Sequence, residues 1–321
     1  GGVAAARAAR PGASRVAVGQ MTATNDAEAN FATCSDLAAR AAAAGASLLC
    51  LPECFAFIGA RSGEAQAMAE PLDGPLMSRY AELARSTGLW LSLGGFQEAP
   101  TKPDPEGRIY NTHVVLSPDG GTRGAYRKIH LFDAPFVSLV ESKQALPGEE
   151  LVAVDSPVGR LGLSVCYDVR FPELYQALKF GMGCDVLLVP AAFTVPTGQA
   201  HWELLLRARA VENQAYVIAA AQAGMHNEDG NRRTSYGHAM IIDPWGEVVA
   251  KLDDPVGTGI AVADIDVAGR LEELEQKMPL AVHRKYDIYG GVSGSEKARE
   301  AAAMLDAYKN NVDQATLELN G

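Results

Sequence analysis

Gly162-Leu-Ser-Val-Cys-Tyr-Asp-Val-Arg-Phe-Pro172 holds the change of character on which the reading of this chain turns. The run through Val165 reads as a strand and the segment after it opens a new element, so Cys166 stands at a strand end. Two other reactive groups occupy similar places: Glu53, closing Leu48-Leu-Cys-Leu-Pro-Glu53, and Lys128, inside Tyr126-Arg-Lys-Ile129. A thiol, a carboxylate and an amine that each leave an apolar run can meet at one edge of a sheet. There an ammonium can hold developing negative charge while the carboxylate moves protons, the parts of a covalent hydrolase for C–N bonds. Cysteine is also a common small hydrophobe of protein cores, and position alone leaves both readings of Cys166 open.

Outward from these points the chain alternates strands and helices. Val16–Gln20 reads as a strand, and Asn25-Asp-Ala-Glu28 has capping-box spacing before a helix with Phe31, Cys34, Leu37 and Ala41 on one stripe. Ser47–Leu51 is apolar throughout, as a strand covered on both faces should be. Further helices are expected over Pro75–Ser86, Glu173–Phe180, Gly198–Asn213 and from Val267 to Lys277. Further strands are expected over Leu89–Leu93, Tyr110–Leu116, Gly124–Ile129, Leu151–Val154, Arg160–Val165, Cys184–Pro190, Ala215–Ala221, Tyr236–Ile242, Glu247–Lys251 and Gly259–Ile265. Gly94-Gly95 marks a bend or close backbone approach. A strand, a helix, a Gly and an apolar strand ending in Pro occur twice, from Val16 to Pro52 and from Leu161 to Pro190. Two sheets packed face to face, each covered outside by helices, would use this pattern.

Composition narrows the function classes. The 321 residues are 48% apolar, enough for a large core, and the formal charge of -11 argues against bulk attraction to nucleic acid or an acidic membrane. No apolar run reaches the roughly 18 residues that suggest a membrane span. Five cysteines, at 34, 50, 54, 166 and 184, form no secreted disulfide pattern, and the six histidines include no His-x-x-x-His pair, so metal catalysis is not expected. Neither a Gly-x-Gly-x-x-Gly nor a phosphate-binding Lys-Ser/Thr loop supports a nucleotide site. Residues 1–14, with Arg and no acid, read as a flexible or targeting remnant. Residues 15–290 read as the folded domain. Residues 291–321 read as a helical extension, where Leu305, Tyr308 and Val312 share one stripe.

Three ordered segments, Leu51-Pro-Glu53, Tyr126-Arg-Lys-Ile-His-Leu-Phe132 and Val165-Cys-Tyr-Asp-Val-Arg-Phe-Pro-Glu173, closely resemble those of the nitrilase, or carbon–nitrogen hydrolase, superfamily. The resemblance spans about Val16 to Tyr289. It implies an α/β fold, an α-β-β-α four-layer sandwich, in a single domain with a C-terminal extension. It also implies a catalytic set of Glu53, Lys128 and Cys166 with no cofactor, a second glutamate mapped to Glu141, and a homodimer or higher homo-oligomer. Cys166 would be the nucleophile, Glu53 the proton carrier, and Lys128 with the Tyr167 amide the oxyanion donors. A base such as Glu53 works best when burial or another carboxylate raises its pKa. Glu141 would hold Lys128 or position substrate.

Tyr167, Arg170, Phe193 and Thr194 are the candidate substrate-binding residues, and Asp168, Arg170 and Glu173 also read as a brace around the nucleophile turn through Arg–carboxylate forks. The segment Pro196–Glu212 resembles glutathione-related amidase branches, although Gln199 stands where those branches more often have Pro. The implied reaction is hydrolysis of a small acidic amide through a cysteine thioester, with deaminated glutathione giving α-ketoglutarate and cysteinylglycine. The alternatives are α-ketoglutaramate or another amide or carbamoyl substrate, and, from a different class, a silent member acting as a scaffold. The partner expected is thus a small molecule, with no nucleic acid and no membrane. Subunit contacts are expected at the helix after Cys166 and along Leu280–Tyr289. The expected location is cytoplasmic, or chloroplast or mitochondrion if the start is a targeting remnant.

Overall fold

A computed structural model describes residues 10–134, 139–230 and 232–289, with the side chains of residues 134, 139, 286 and 287 outside that description. In chain order, β1 (Ala13–Met21), α1 (Ala27–Ala43), β2 (Leu48–Leu51), the short α2 (Glu64–Ala67), α3 (Pro75–Thr87), β3 (Trp90–Glu98), β4 (Tyr110–Leu116) and β5 (Thr122–Arg127) build the first half. The small pair β6 (Asp133–Ala134) and β7 (Leu139–Val140) leads to β8 (Ala153–Ser156), β9 (Gly159–Leu163), α4 (Pro172–Gln176), β10 (Val186–Leu188), α5 (Val195–Asn213) and β11 (Tyr216–Ala219). The rest is β12 (Ala221–Met225), β13 (Thr234–Tyr236), β14 (Met240–Ile242), β15 (Val248–Lys251), β16 (Gly259–Asp266), α6 (Val267–Lys277), α7 (Leu280–His283) and α8 (Tyr286–Tyr289).

Two large mixed sheets result. One runs β13-β12-β1-β2-β3-β4-β5 with β16 also paired to β1, and the other runs β15-β14-β11-β10-β9-β8. The strand alternation explains why both faces are apolar. Val16, Val18 and Leu48 join Leu161, Leu163 and Val186 in the layer between the sheets. Ala17, Leu49 and Leu51 face outward onto Cys34, Leu37 and Ala38 of α1 and Met77 and Tyr80 of α3. On the far side, Leu174 and Tyr175 of α4 and Trp202 and Leu206 of α5 pack on the second sheet. This is the α-β-β-α four-layer sandwich.

Several boundaries differ from expectation for identifiable reasons. Asp26, in extended backbone, caps α1 by accepting from the Ala29 amide at 3.0 Å, one residue after the expected cap, while Glu28 pairs with Arg79. Strand β3 does not stop at Leu93 but continues through a bulge at Gly94-Gly95 to Glu98. The apolar run 215–221 is not one strand: β11 lies in the second sheet, and the chain crosses at Ala220 so that β12 pairs with β1 in the first. The chain returns through Gly237 and His238, both in left-handed backbone, which likewise splits 236–242 into β13 and β14. Strand β1 starts at Ala13, and Arg10 is tied to Glu275 at 2.6 Å and Asp185 at 3.1 Å, ahead of the residue-15 boundary. Residues 1–9 and the helical extension 291–321, including Leu305, Tyr308 and Val312, lie outside the described residues.

Candidate active site

Glu53 leaves β2 and Lys128 leaves β5 in the first sheet, while Cys166 leaves β9 in the second. The two sheets press together beside them: a Cβ on Gly94 would lie 2.0 Å from Cβ of Pro190, the residue whose carbonyl accepts from the Cys166 amide at 2.8 Å. Gly95, at φ 78°, passes so near that a Cβ there would meet Asn111 Oδ1 at 2.7 Å and Glu53 Cγ at 2.9 Å. Cys166 itself is held at φ 48°, a left-handed conformation that non-glycine residues rarely adopt.

The charges form a buried chain. Lys128, 2% exposed, donates from Nζ to Glu53 Oε1 at 3.1 Å and to Glu141 Oε1 and Oε2 at 3.0 and 2.8 Å. Asn111 Nδ2 bridges the same carboxylates at 2.9 Å to Glu53 and 3.3 Å to Glu141. Glu141 also accepts from the Phe132 amide at 2.6 Å, and Glu53 Oε2 from the Ala192 amide at 3.0 Å. The Cys166 thiol and Glu53 lie close enough to shift one another's proton affinity, with the Ala192 amide beside the sulfur.

Burial lowers the affinity of Lys128 for its proton, but Glu141 and Glu53 outweigh it and hold the ammonium well above its ordinary pKa. Burial would raise Glu53, yet the fields of Lys128 and Arg233, the nearby Cys166 thiol and the bond from Asn111 bring it below the usual carboxylate range. This is opposite to the expected raised base. The Cys166 thiol is pushed well up by burial and Glu53 against the pull of Lys128. The resting pair is therefore a neutral thiol beside an ionised carboxylate.

Asp168 braces the turn, though not through an arginine fork. Fully buried, it accepts from the Val165 amide and the Tyr126 hydroxyl, each at 2.8 Å, and from the His130 amide and Nδ1 at 3.1 and 2.7 Å. The His130 ring stacks on Phe171 at 3.7 Å. Glu173 is exposed, and Arg170 turns to the cavity, where Nη1 lies 3.3 Å from His201 Nδ1 and the guanidinium packs near Tyr167 and Phe193.

The cavity above Cys166 has a volume of about 550 Å³, and Glu53, Lys128, Glu141 and Cys166 all open onto it. Tyr167, Arg170, Phe193 and Thr194 line it as well. Sequence reasoning missed Asn111, Arg233 and the Ala192 amide. Asn111 sits in an ordinary-looking strand, and Arg233 reaches across from between β12 and β13 to the Ala192 carbonyl at 2.9 Å, so neither carries a local signal. Cys54, beside Glu53, also lines the cavity, with its thiol pushed up to about 12 by burial and by Glu53. Among the described residues no cluster of three or more His, Cys, Asp or Glu is arranged to hold a metal ion. Nor is any described helix long and apolar enough to cross a membrane.

This sequence matches the family model described as carbon-nitrogen hydrolase over residues 15–272. It is 47% identical over 283 residues to the deaminated glutathione amidase of Dictyostelium discoideum, covering 86% of this chain and 95% of that protein. The Homo sapiens protein of the same name is 47% identical over 281 residues, covering 86% of this chain and 84% of its own length. The crystal structure of the C. elegans NitFhit protein superposes with a TM-score of 0.79 at 45% identity, covering 87% of this chain and 67% of that one.

Proposed function

The chain belongs to the carbon–nitrogen hydrolase family, whose typical chemistry is that of a cysteine-dependent amidase, and we propose that it hydrolyses deaminated glutathione to α-ketoglutarate and cysteinylglycine. The observation that carries the reading is Cys166 on the floor of one cavity with Glu53, which is salt-linked through Lys128 to Glu141, where Arg170 and Arg233 also line the walls.

In this reading Cys166 Sγ attacks the amide carbon and forms the C–S bond as its proton passes to Glu53. The carbonyl oxygen becomes an oxyanion, held by the Lys128 ammonium and the Tyr167 amide. Collapse breaks the C–N bond, and Glu53 returns the proton to the departing nitrogen. Water then gives a proton to Glu53 as its oxygen attacks the thioester. The C–S bond breaks, the acid leaves, and the sulfur regains its proton. Glu141 and Asn111 keep Lys128 charged and Glu53 oriented throughout. Holding the thiol neutral until substrate arrives protects it from oxidation, and transfer to an adjacent carboxylate makes a low thiol pKa unnecessary. The acyl half, with its α-keto acid end, would lie against Tyr167, Phe193 and Thr194 with Arg170 as counter-charge.

The test is steady-state turnover of deaminated glutathione against α-ketoglutaramate. A kcat/KM tenfold higher for the second, about 1.4 kcal/mol in transition-state stabilisation, would reject the substrate and leave an ω-amidase. We also propose a homodimer or larger assembly. Its support is that the large apolar side chains of Leu204, Val211, Trp245, Val282 and Ile288 are exposed, the last within the apolar group expected along Leu280–Tyr289. The Tyr286 side chain of that group lies outside the described residues. Light scattering at micromolar concentration should give at least twice the chain mass, and a monomeric mass rejects the assembly.

A further inference from the structure

We infer that the cavity holds a second anion subsite, formed by Lys143 and Arg61, that binds a carboxylate on the amine side of the scissile bond. This rests on the proposed amidase reading and extends it to the leaving group. Glu53, which returns the proton to nitrogen, marks the amine side, and Glu141 is joined to it through Lys128 and Asn111, whereas Tyr167 and Arg170 lie in the turn of the nucleophile and are assigned to the acyl half. Lys143 stands two residues beyond Glu141 in the same turn, Glu141–Lys143, and Arg61 lies on the loop that continues from Glu53 through Cys54, Phe57 and Ile58. All of these line the one cavity.

The cations form two tiers by depth. Arg170 and Arg233 are partly buried, while Lys143 and Arg61 are exposed at the rim. Lys143 has no ion pair among the described residues. Arg61 approaches a carboxylate only at 3.8 Å, from Glu64, whose other oxygen is already taken by the Ala60 amide at 2.7 Å. Both rim cations are thus available, in a chain of net charge -11 whose overall field would repel an anion. A cavity of about 550 Å³ also exceeds what a five-carbon acid amide needs, leaving room for an amine of dipeptide size. A dipeptide ends in a carboxylate two residues from the scissile nitrogen, which is the charge this rim would meet.

The probes are deaminated glutathione and its C-terminal carboxamide, which differ only in that charge, assayed on the wild-type protein, Lys143→Gln and Arg61→Gln. The wild type is expected to favour the acid by about 10–30-fold in kcat/KM, in the range of one or two exposed charge contacts and falling with added salt. Each substitution should shrink that ratio about fivefold, through the acid alone. Equal wild-type rates on acid and carboxamide, or variants that slow both alike, overturn the subsite while leaving the amidase reading intact. A wild type that hydrolyses α-ketoglutaramate but neither glutathione derivative overturns the substrate reading, and the subsite with it.

Discussion

His113 offers a quantitative check on how the two sheets are joined beneath the site. It lies on β4 in the first sheet, fully buried, with Nδ1 at 2.9 Å from the Ser164 carbonyl at the end of β9 and Nε2 at 2.7 Å from Ser92 Oγ. The carbonyl can only accept, so Nδ1 carries the proton and the neutral ring accepts from Ser92. Burial depresses its pKa to about 4, with the Ser164 bond opposing weakly. The unfolded ring takes up a proton as pH falls through about 6.5, while the folded ring does so only near 4. In that window the unfolded state binds more protons, so stability is full above 6.5 and is lost as pH falls toward 4. Integrating between pH 7 and 4.5 gives a loss of about 2 kcal/mol from this ring.

Urea unfolding of wild type and His113→Gln at both pH values isolates the contribution, because other groups titrate alike in the two proteins. The variant should be less stable at pH 7, from poorer hydrogen bonds to Ser92 and Ser164, but should lose about 2 kcal/mol less on acidification. Parallel pH dependences, or a His113 ring that titrates near 6.5 in the folded protein by NMR, would refute the reasoning.

Cys166→Ala should fold and lose turnover, whereas Cys34→Ala and Cys184→Ala keep most of it; intact-protein mass spectrometry during turnover should find an acyl adduct that maps to Cys166 alone. Glu53→Gln should lower kcat by about a hundredfold or more, the range of a lost proton carrier, with circular dichroism unchanged; near-normal kcat would remove Glu53 from its role. Gly95→Ala forces a Cβ into left-handed backbone against Glu53 and Asn111, so it should cost about 1–2 kcal/mol in denaturant midpoint and also reduce kcat. If kcat is untouched, the packing of Gly95 on Glu53 is not what orients the carboxylate. Dialysis against EDTA should leave the rate unchanged, and restoration of lost activity by a divalent ion would contradict the metal-free scheme.

Much of this protein was legible in its residues because its chemistry is local to strand ends. Apolar runs placed Glu53, Lys128 and Cys166 near strand ends, where they can meet at one sheet edge, and the resemblance to the carbon–nitrogen hydrolases supplied the roles expected of them. The layered fold followed from strands apolar on both faces, as in Leu48–Leu51, which demand cover on two sides. Tertiary structure alone decided what depends on distance between segments. The split of 215–221 between two sheets could not be read from an unbroken apolar run, because hydrogen-bond partners, not hydrophobicity, assign a strand to its sheet. Asn111 and Arg233 gained their places only when β4 and the β12–β13 connection converged on Glu53. The pKa of Glu53 reversed direction for the same reason: burial, which the apolar run foretold, raises it, but Coulomb fields from Lys128 and Arg233, whose positions only the packed chain sets, lower it further.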